Sequence, residues 1–174
     1  HLKPKEMPKW IYFSSISKNA IDFHDDLADW LEKHEEVKVA FQPGTFQMEA
    51  GAERLKRIYA RTELFACNRE EAVYITGGNY NDLHDLFNRM HDVGIKIAVI
   101  TDGPNGAYAS DGSNRYKMPI YPDIAPPLER TGAGDAFSST LVAGLMLGAT
   151  LEEALRWAPI NSMNVVQHVG AQAG

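Results

Sequence analysis

The sequence has a single cysteine, Cys67, so no disulfide can form within the chain, and that usage predicts a reducing, cytoplasmic compartment. It has no apolar run approaching the roughly 18 residues of a membrane helix. No signal peptide is recognisable, although the chain begins at His1 rather than methionine. Basic charge is scarce: 17 Lys and Arg against 23 Asp and Glu give a formal net charge of −6. With no basic stripe either, a nucleic-acid backbone is not an expected partner, nor is a membrane. A small anionic ligand stays open, because local N–H groups and a metal ion can outweigh a mildly acidic whole. Repeats and low-complexity tracts are absent too. What remains is 174 residues, 44 % of them hydrophobic and 23 % charged, enough for one domain with a proper core.

Apolar patterning predicts an alternation of strands and helices. Trp10 to Ile16 reads as a buried strand, Asn19 to His34 as a helix with an acidic face, and Val37 to Phe41 as a strand ending at Pro43-Gly44. A helix over Glu49 to Tyr59 and a strand over Glu63 to Cys67 follow, with a helical segment from Asn68. Asp82 to Val93 predicts a helix closed by Gly94, and Ile95 to Thr101 is the clearest strand. Ala107 to Ser110 and Arg115 to Met118 flank Asp111-Gly112 as a hairpin, and helices over 133–148 and 151–169 complete the chain. The alternation predicts a mostly parallel sheet in a three-layer α/β/α fold. Residues 1–9 read as a connector or partial leading segment, and 10–174 as the folded portion.

Ligands of open parallel sheets sit beyond the carboxyl ends of the strands. Three constellations bear on such a site. The first is Thr131-Gly132-Ala133-Gly134-Asp135-Ala136-Phe137, a glycine-rich turn opening a helix. Its N–H groups and helix dipole converge into an anion hole, with a carboxylate placed to take a proton from a hydroxyl. A flexible turn with a first-turn acid is the plainer alternative. The helix over 133–148 is apolar nearly all round, which predicts burial between layers and a fixed donor array. The second is Asn68-x-x-Glu71, whose amide and carboxylate share a helix face and could hold a hydrated magnesium ion. The same spacing is that of a capping box, the favoured reading of the pair taken alone. The third is Thr101-Asp102-Gly103-Pro104-Asn105-Gly106, where backbone can approach a nucleotide or simply turn.

Other candidates carry less. His24-Asp25, His84-Asp85 and His91-Asp92 fall on polar helix faces and are expected to meet water, without a third metal ligand at suitable spacing. Cys67 has no recognisable base beside it, and Ser14-Ser15 and Ser138-Ser139 lack a nucleophile-elbow setting. Met118, Met146 and Met163 are expected in the core.

Taken in order, Asn68-x-x-Glu71, Thr101-x-Gly103-x-x-Gly106 and Gly132-Ala133-Gly134-Asp135 resemble the ribokinase-like (PfkB-type) carbohydrate kinases. Pro43-Gly44-Thr45 and the closing Gly170-Ala171-Gln172 add to the likeness, which spans roughly residues 10 to 172. The resemblance implies transfer of phosphate from ATP to an alcohol group of a sugar. It makes Asp135 the base, with the N–H groups of Gly132, Ala133 and Gly134 as the anion hole. Asn68 and Glu71 would organise Mg2+ through water, and Thr101, Gly103, Gly106 and Gly134 would line the ATP site. Many members hold a monovalent cation through an aspartate two residues before the threonine. Glu129 stands at that place, which leaves K+ open. Pro159 departs from the small or polar residue that often borders the adenine, with Asn161 nearby.

The family's sugar-gripping N-terminal part and β lid have no counterpart in this sequence, so the chain is expected to be a truncated, nucleotide-binding portion, inactive or poorly active alone. A homodimer of the full-length protein is left open by the same resemblance. The alternatives are a nucleoside or other small-alcohol kinase of the family, and a non-catalytic nucleotide-binding or sensor module. Retention of Asp135 with the Asn68/Glu71 pair speaks against the sensor, which needs no base.

Overall fold

A computed structural model describes residues 5–170 of the chain. Lys3, in the leading connector, and Ala171-Gln172, in the closing motif, lie outside the described residues. Six strands lie in one mixed sheet in chain order: β1 (Trp10–Phe13), β2 (Lys38–Phe41), β3 (Thr62–Asn68), β4 (Ile97–Thr101), β5 (Ala107–Ser110) and β6 (Arg115–Met118). Among the described residues the helices are α1 (Phe23–Leu31), α2 (Thr45–Ala50), α3 (Ala52–Tyr59), α4 (Arg69–Thr76), α5 (Leu83–Asp92), α6 (Ala133–Met146) and α7 (Leu151–Val165). This is the α/β fold that the alternating pattern predicts.

The chain divides into two compact units. One holds the chain up to Ile100 together with Ala109–Arg115; the other holds Thr101–Tyr108 and the chain from Tyr116 onward. In the first unit β1, β2 and β3 are parallel, with Phe13 opposite Phe41 and Phe41 opposite Phe65. Phe41 and Phe65 pack on Tyr59 of α3, at 5.8 and 5.6 Å, Phe65 also meets Phe41 edge-on at 5.7 Å, and Phe13 stacks on Phe41 at 5.2 Å. Strands buried on both faces read as continuous apolar runs, and β3 is such a run from Leu64 to Cys67.

Several boundaries differ from the sequence expectation, each for a local reason. The helix expected over Glu49 to Tyr59 is two helices broken at Gly51, whose φ of 85° and ψ of 161° no helix admits. α1 starts at Phe23, after a short 3-10 turn at Lys18–Ala20. β1 stops at Phe13, short of Ile16. α6 ends at Met146 and α7 at Val165, both shorter than expected. α6 is also less buried than its composition suggests. Ser139, Ala143, Met146 and Leu147 are exposed, Leu147 at 81 %, so Met146 is not core.

Two of the three His-Asp histidines are engaged by protein groups at both ring nitrogens. His91 bridges the Ile95 carbonyl and the buried Ser110 hydroxyl, each at 2.8 Å. His24 is buried, with Nδ1 at 2.8 Å from the Ile21 carbonyl and Nε2 at 3.1 Å from Gln47 Nε2. A carbonyl only accepts, so Nδ1 carries the proton and Nε2 accepts from the Gln47 amide. Gln47 is held that way round because its Oε1 accepts from the Gly44 N–H at 2.7 Å. The network therefore works only with a neutral imidazole. Burial pushes the His24 imidazole below its ordinary value, with the nearby Arg54 charge acting in the same direction against the Ile21 bond and Asp25. The unfolded chain then takes up the proton first as pH falls through about 6.5. The stability from His24 is present above that pH and lost below it. Thermal melting between about pH 7.5 and about pH 5.5 should show a steeper loss for the native chain than for His24→Gln; equal slopes would remove His24 as a source of acid lability.

Candidate nucleotide site

The second unit carries the motif at residues 131–137. Gly132 has a φ of 85°, the left-handed region that a glycine enters at no steric cost, and it turns the chain into α6. The Gly132 carbonyl accepts from the Ala136 N–H at 2.8 Å, the first bond of the helix. The Ala133 N–H donates back to the Arg130 carbonyl at 3.2 Å. Of the three amides singled out by the sequence, Ala133's is thus already engaged, while those of Gly132 and Gly134 meet no acceptor among the described residues. A side chain built on Gly134 would find open space within 4 Å, so a ligand can reach its backbone. Asp135 follows in the same first turn and is exposed.

α7 holds this helix end still. Ser162 Oγ donates to the Ala133 carbonyl at 3.0 Å, and Asn161 Nδ2 donates to Thr140 Oγ1 at 2.8 Å. The helices approach closely at Gly144, where an added Cβ would stand 2.9 Å from Ala154 Cβ. Asn161 therefore braces α6.

Beside the motif lies a cleft of about 180 Å³, built wholly from the second unit. Its apolar wall includes Ile120, Tyr121, Phe137, Pro159 and Met163, and Thr101, Gly103, Gly106, Ala133, Gly134 and Arg130 also border it. Thr101, Gly103, Gly106 and Gly134, the residues expected around ATP, are thus brought to one cavity. Gly106 has a structural duty as well: its φ is 91°, and a Cβ there would stand 2.2 Å from the Met118 carbonyl. The loop it closes is tight, with Asp102 N–H donating to the Gly106 carbonyl at 2.8 Å. Pro159 lies buried in α7 and borders the cleft. Met163 is buried, as expected of a core residue, and Met118 is half-buried; both line the same cavity.

Sequence reasoning missed Arg130 and the segment Met118-Pro119-Ile120-Tyr121. A run of apolar residues after a strand, with no helical or strand period, was the available signal. Glu129 is committed to its own loop. Its Oε2 accepts from the Gly170 N–H at 2.9 Å. The Thr131 side chain, then Gly170, holds the carboxyl below the usual carboxylate range. A monovalent cation here would compete with those bonds.

In the first unit, Asn68 and Glu71 form a reciprocal cap on α4. Asn68 Oδ1 accepts from the Glu71 N–H and Glu71 Oε2 from the Asn68 N–H, both at 2.8 Å. Glu71 Oε1 stays outside the cap. Among the described residues no group of three or more His, Cys, Asp or Glu side chains could hold a metal ion. Asn68 and Glu71 are thus no part of a protein metal cage, and Glu71 Oε1 is the carboxylate oxygen that the cap leaves over. Cys67 is buried, and burial, with Glu71 adding to it, pushes its thiol well above the ordinary value, so it is no nucleophile. No helix among the described residues is long and apolar enough to cross a membrane.

Residues 9–174 match the model of the pfkB family carbohydrate kinases, and the chain belongs to that family. It is 39 % identical over 129 residues to a cytidine kinase of Thermococcus kodakarensis, covering 71 % of this chain and 44 % of that protein. Among solved structures, a putative ribokinase II of E. coli in its apo form superposes with a TM-score of 0.80 at 18 % identity, over 95 % of this chain and 55 % of that one. A fructokinase of Vibrio cholerae O395, bound to fructose, ADP and calcium, gives a TM-score of 0.78 at 20 % identity, over 97 % and 58 %. The chain thus spans about half the length of these relatives.

Truncating the cap separates its structural duty from any other. Asn68→Ala should lower the unfolding free energy by about 1 kcal/mol in urea titration; an unchanged midpoint would mean that the box contributes nothing to α4.

Proposed function

We propose that this chain is the nucleotide-binding portion of an ATP-dependent kinase acting on an alcohol group of a sugar. The observation carrying the proposal is the second unit's apolar cleft, which ends at the open Gly134 amide on a braced helix. An apolar slot suits a planar base, and free amides at a helix N-terminus suit the phosphates attached to it.

Asp135 is the base. As the acceptor oxygen forms its bond to the γ-phosphorus, the bond from that phosphorus to the β–γ bridging oxygen breaks and ADP leaves. The hydroxyl proton passes to the Asp135 carboxylate. Charge on the transferring group's oxygens falls to the N–H groups of Gly132 and Gly134, with Ala133 joining if its turn to Arg130 opens. Thr101, Gly103 and Gly106 border the nucleotide. Asn68 and Glu71 would hold a magnesium ion through water, Glu71 by the oxygen left outside the cap; the ion would spread charge over the phosphate oxygens. Potassium is assigned no step, because Glu129 is tied to Thr131 and Gly170. A cytoplasmic setting fits the single buried thiol.

A nucleoside acceptor is the second reading, favoured by the 39 % identity to a cytidine kinase. The sensor reading is weaker, since a sensor gains nothing from an exposed carboxylate beside open amides.

In the full-length protein, Asp135→Asn should lower kcat by about 10²- to 10⁴-fold, with ADP affinity retained. Assays with ribose, fructose and cytidine as acceptors would read it. Undiminished turnover of whichever acceptor is used would remove Asp135 from the mechanism.

A further inference from the structure

Arginine side chains in this acidic chain are almost all committed. Arg54 and Arg57 pair with acids of α1 and its flanks, Arg89 with Asp85 and Arg156 with Glu152. Arg61 caps carbonyls at His34, Glu35 and Val37, Arg69 donates to the Tyr80 carbonyl, and Arg115 donates to Asn88. Arg130 is the exception: its guanidinium has no ion pair and no hydrogen bond among the described residues. It is exposed and borders the cleft. Asp123, the carboxylate on the same wall, does not pair with it.

Its backbone fixes where it stands. The Arg130 carbonyl accepts from the Ala133 N–H at 3.2 Å, so residue 130 begins the turn that leads into α6. The guanidinium root is thereby three residues from Ala133 and four from the open Gly134 amide, on the wall of one cavity. A guanidinium is always charged, weakly hydrated and shaped to meet two phosphate oxygens at once. Left unpaired among the described residues of a chain with six surplus negative charges, beside amides that meet no acceptor there, it is matched to an anion that arrives with the ligand.

We infer that Arg130 binds the phosphate tail of the donor nucleotide, as a positioning cation acting together with the Gly132 and Gly134 amides. The inference rests on the kinase reading above and adds to it a residue that sequence motifs do not flag. Arg130 holds the tail along the α6 N-terminus and leaves the base to the apolar wall.

The test is calorimetric binding of ADP and of adenosine to the full-length protein and to Arg130→Ala and Arg130→Lys. Arg130→Ala should weaken ADP by about tenfold or more, leave adenosine within about twofold, and be partly rescued in ADP affinity by Arg130→Lys. ADP affinity unchanged in Arg130→Ala would overturn the inference alone. Equal weakening of ADP and adenosine would also overturn it, by making Arg130 a structural residue. If the native protein binds no ADP, the kinase reading itself falls, and the inference with it.

Discussion

The hydrogen bond from Ser162 Oγ to the Ala133 carbonyl fixes the first turn of α6 against α7, and the rest of the candidate site depends on it. A helix N-terminus acts on an anion only over its first turn, and a fraying end loses that field to water. Asn161, one residue before Ser162, adds its bond to Thr140, and Gly144 lets the helices approach where a side chain would collide with Ala154. Pro159 sits inside α7 although an interior proline costs a helix about 3 kcal/mol. It is buried and borders the cleft, where its rigid ring forms part of the apolar wall. A locally unfavourable residue tolerated on a cavity wall is what a site under functional constraint shows.

The Asn68–Glu71 pair shows how a structural reading and a chemical one can coexist. A carboxylate has two oxygens, and the cap on α4 uses only Oε2. The same bond that closes the cap orients Oε1. The cap is therefore sufficient reason for both residues, yet it does not exhaust the donors of Glu71. Sequence spacing alone cannot separate the two roles, because both demand an amide and a carboxylate three residues apart at the start of a helix.

Elements whose cause is local were legible in the sequence. β2, the hairpin at Asp111-Gly112 and the cap at Asn68 follow from side-chain period and turn chemistry within a few residues. What failed to read was decided at a distance. His24 sits beside an acid and looks solvated, yet Gln47, far along the chain, draws it into a buried network. Met146 and Leu147 continue an apolar pattern but lie beyond the surface that α7 covers. Gly51 interrupts a helical period that its neighbours sustain on both sides. The motif glycines were legible because turn and ligand approach need glycine itself. Arg130 was not, since a surface arginine in a loop resembles any other until its lack of partners among the described residues is visible.

The chain's net negative charge does not set the sign of the cleft. Its acids are largely spent: Asp25 on Arg54, Glu63 on Lys38 and Lys96, Glu152 on Arg156, Glu153 on the Thr150 cap, Glu129 on Gly170. Exposed charges farther than about 8 Å are screened at physiological salt, whereas groups in contact with a ligand interact at several kcal/mol even at an effective dielectric of about 20. The local inventory therefore decides: the Arg130 guanidinium, unpaired among the described residues, and the open amides at the head of α6, against Asp123 on the wall and Asp135 in the same first turn. Arg130 and the open amides gather positive contributions at the helix start, set against Asp135 in the same turn, while Asp123 stands elsewhere along the wall. An acidic chain can in this way hold an anionic ligand without any basic surface for a nucleic acid to grip.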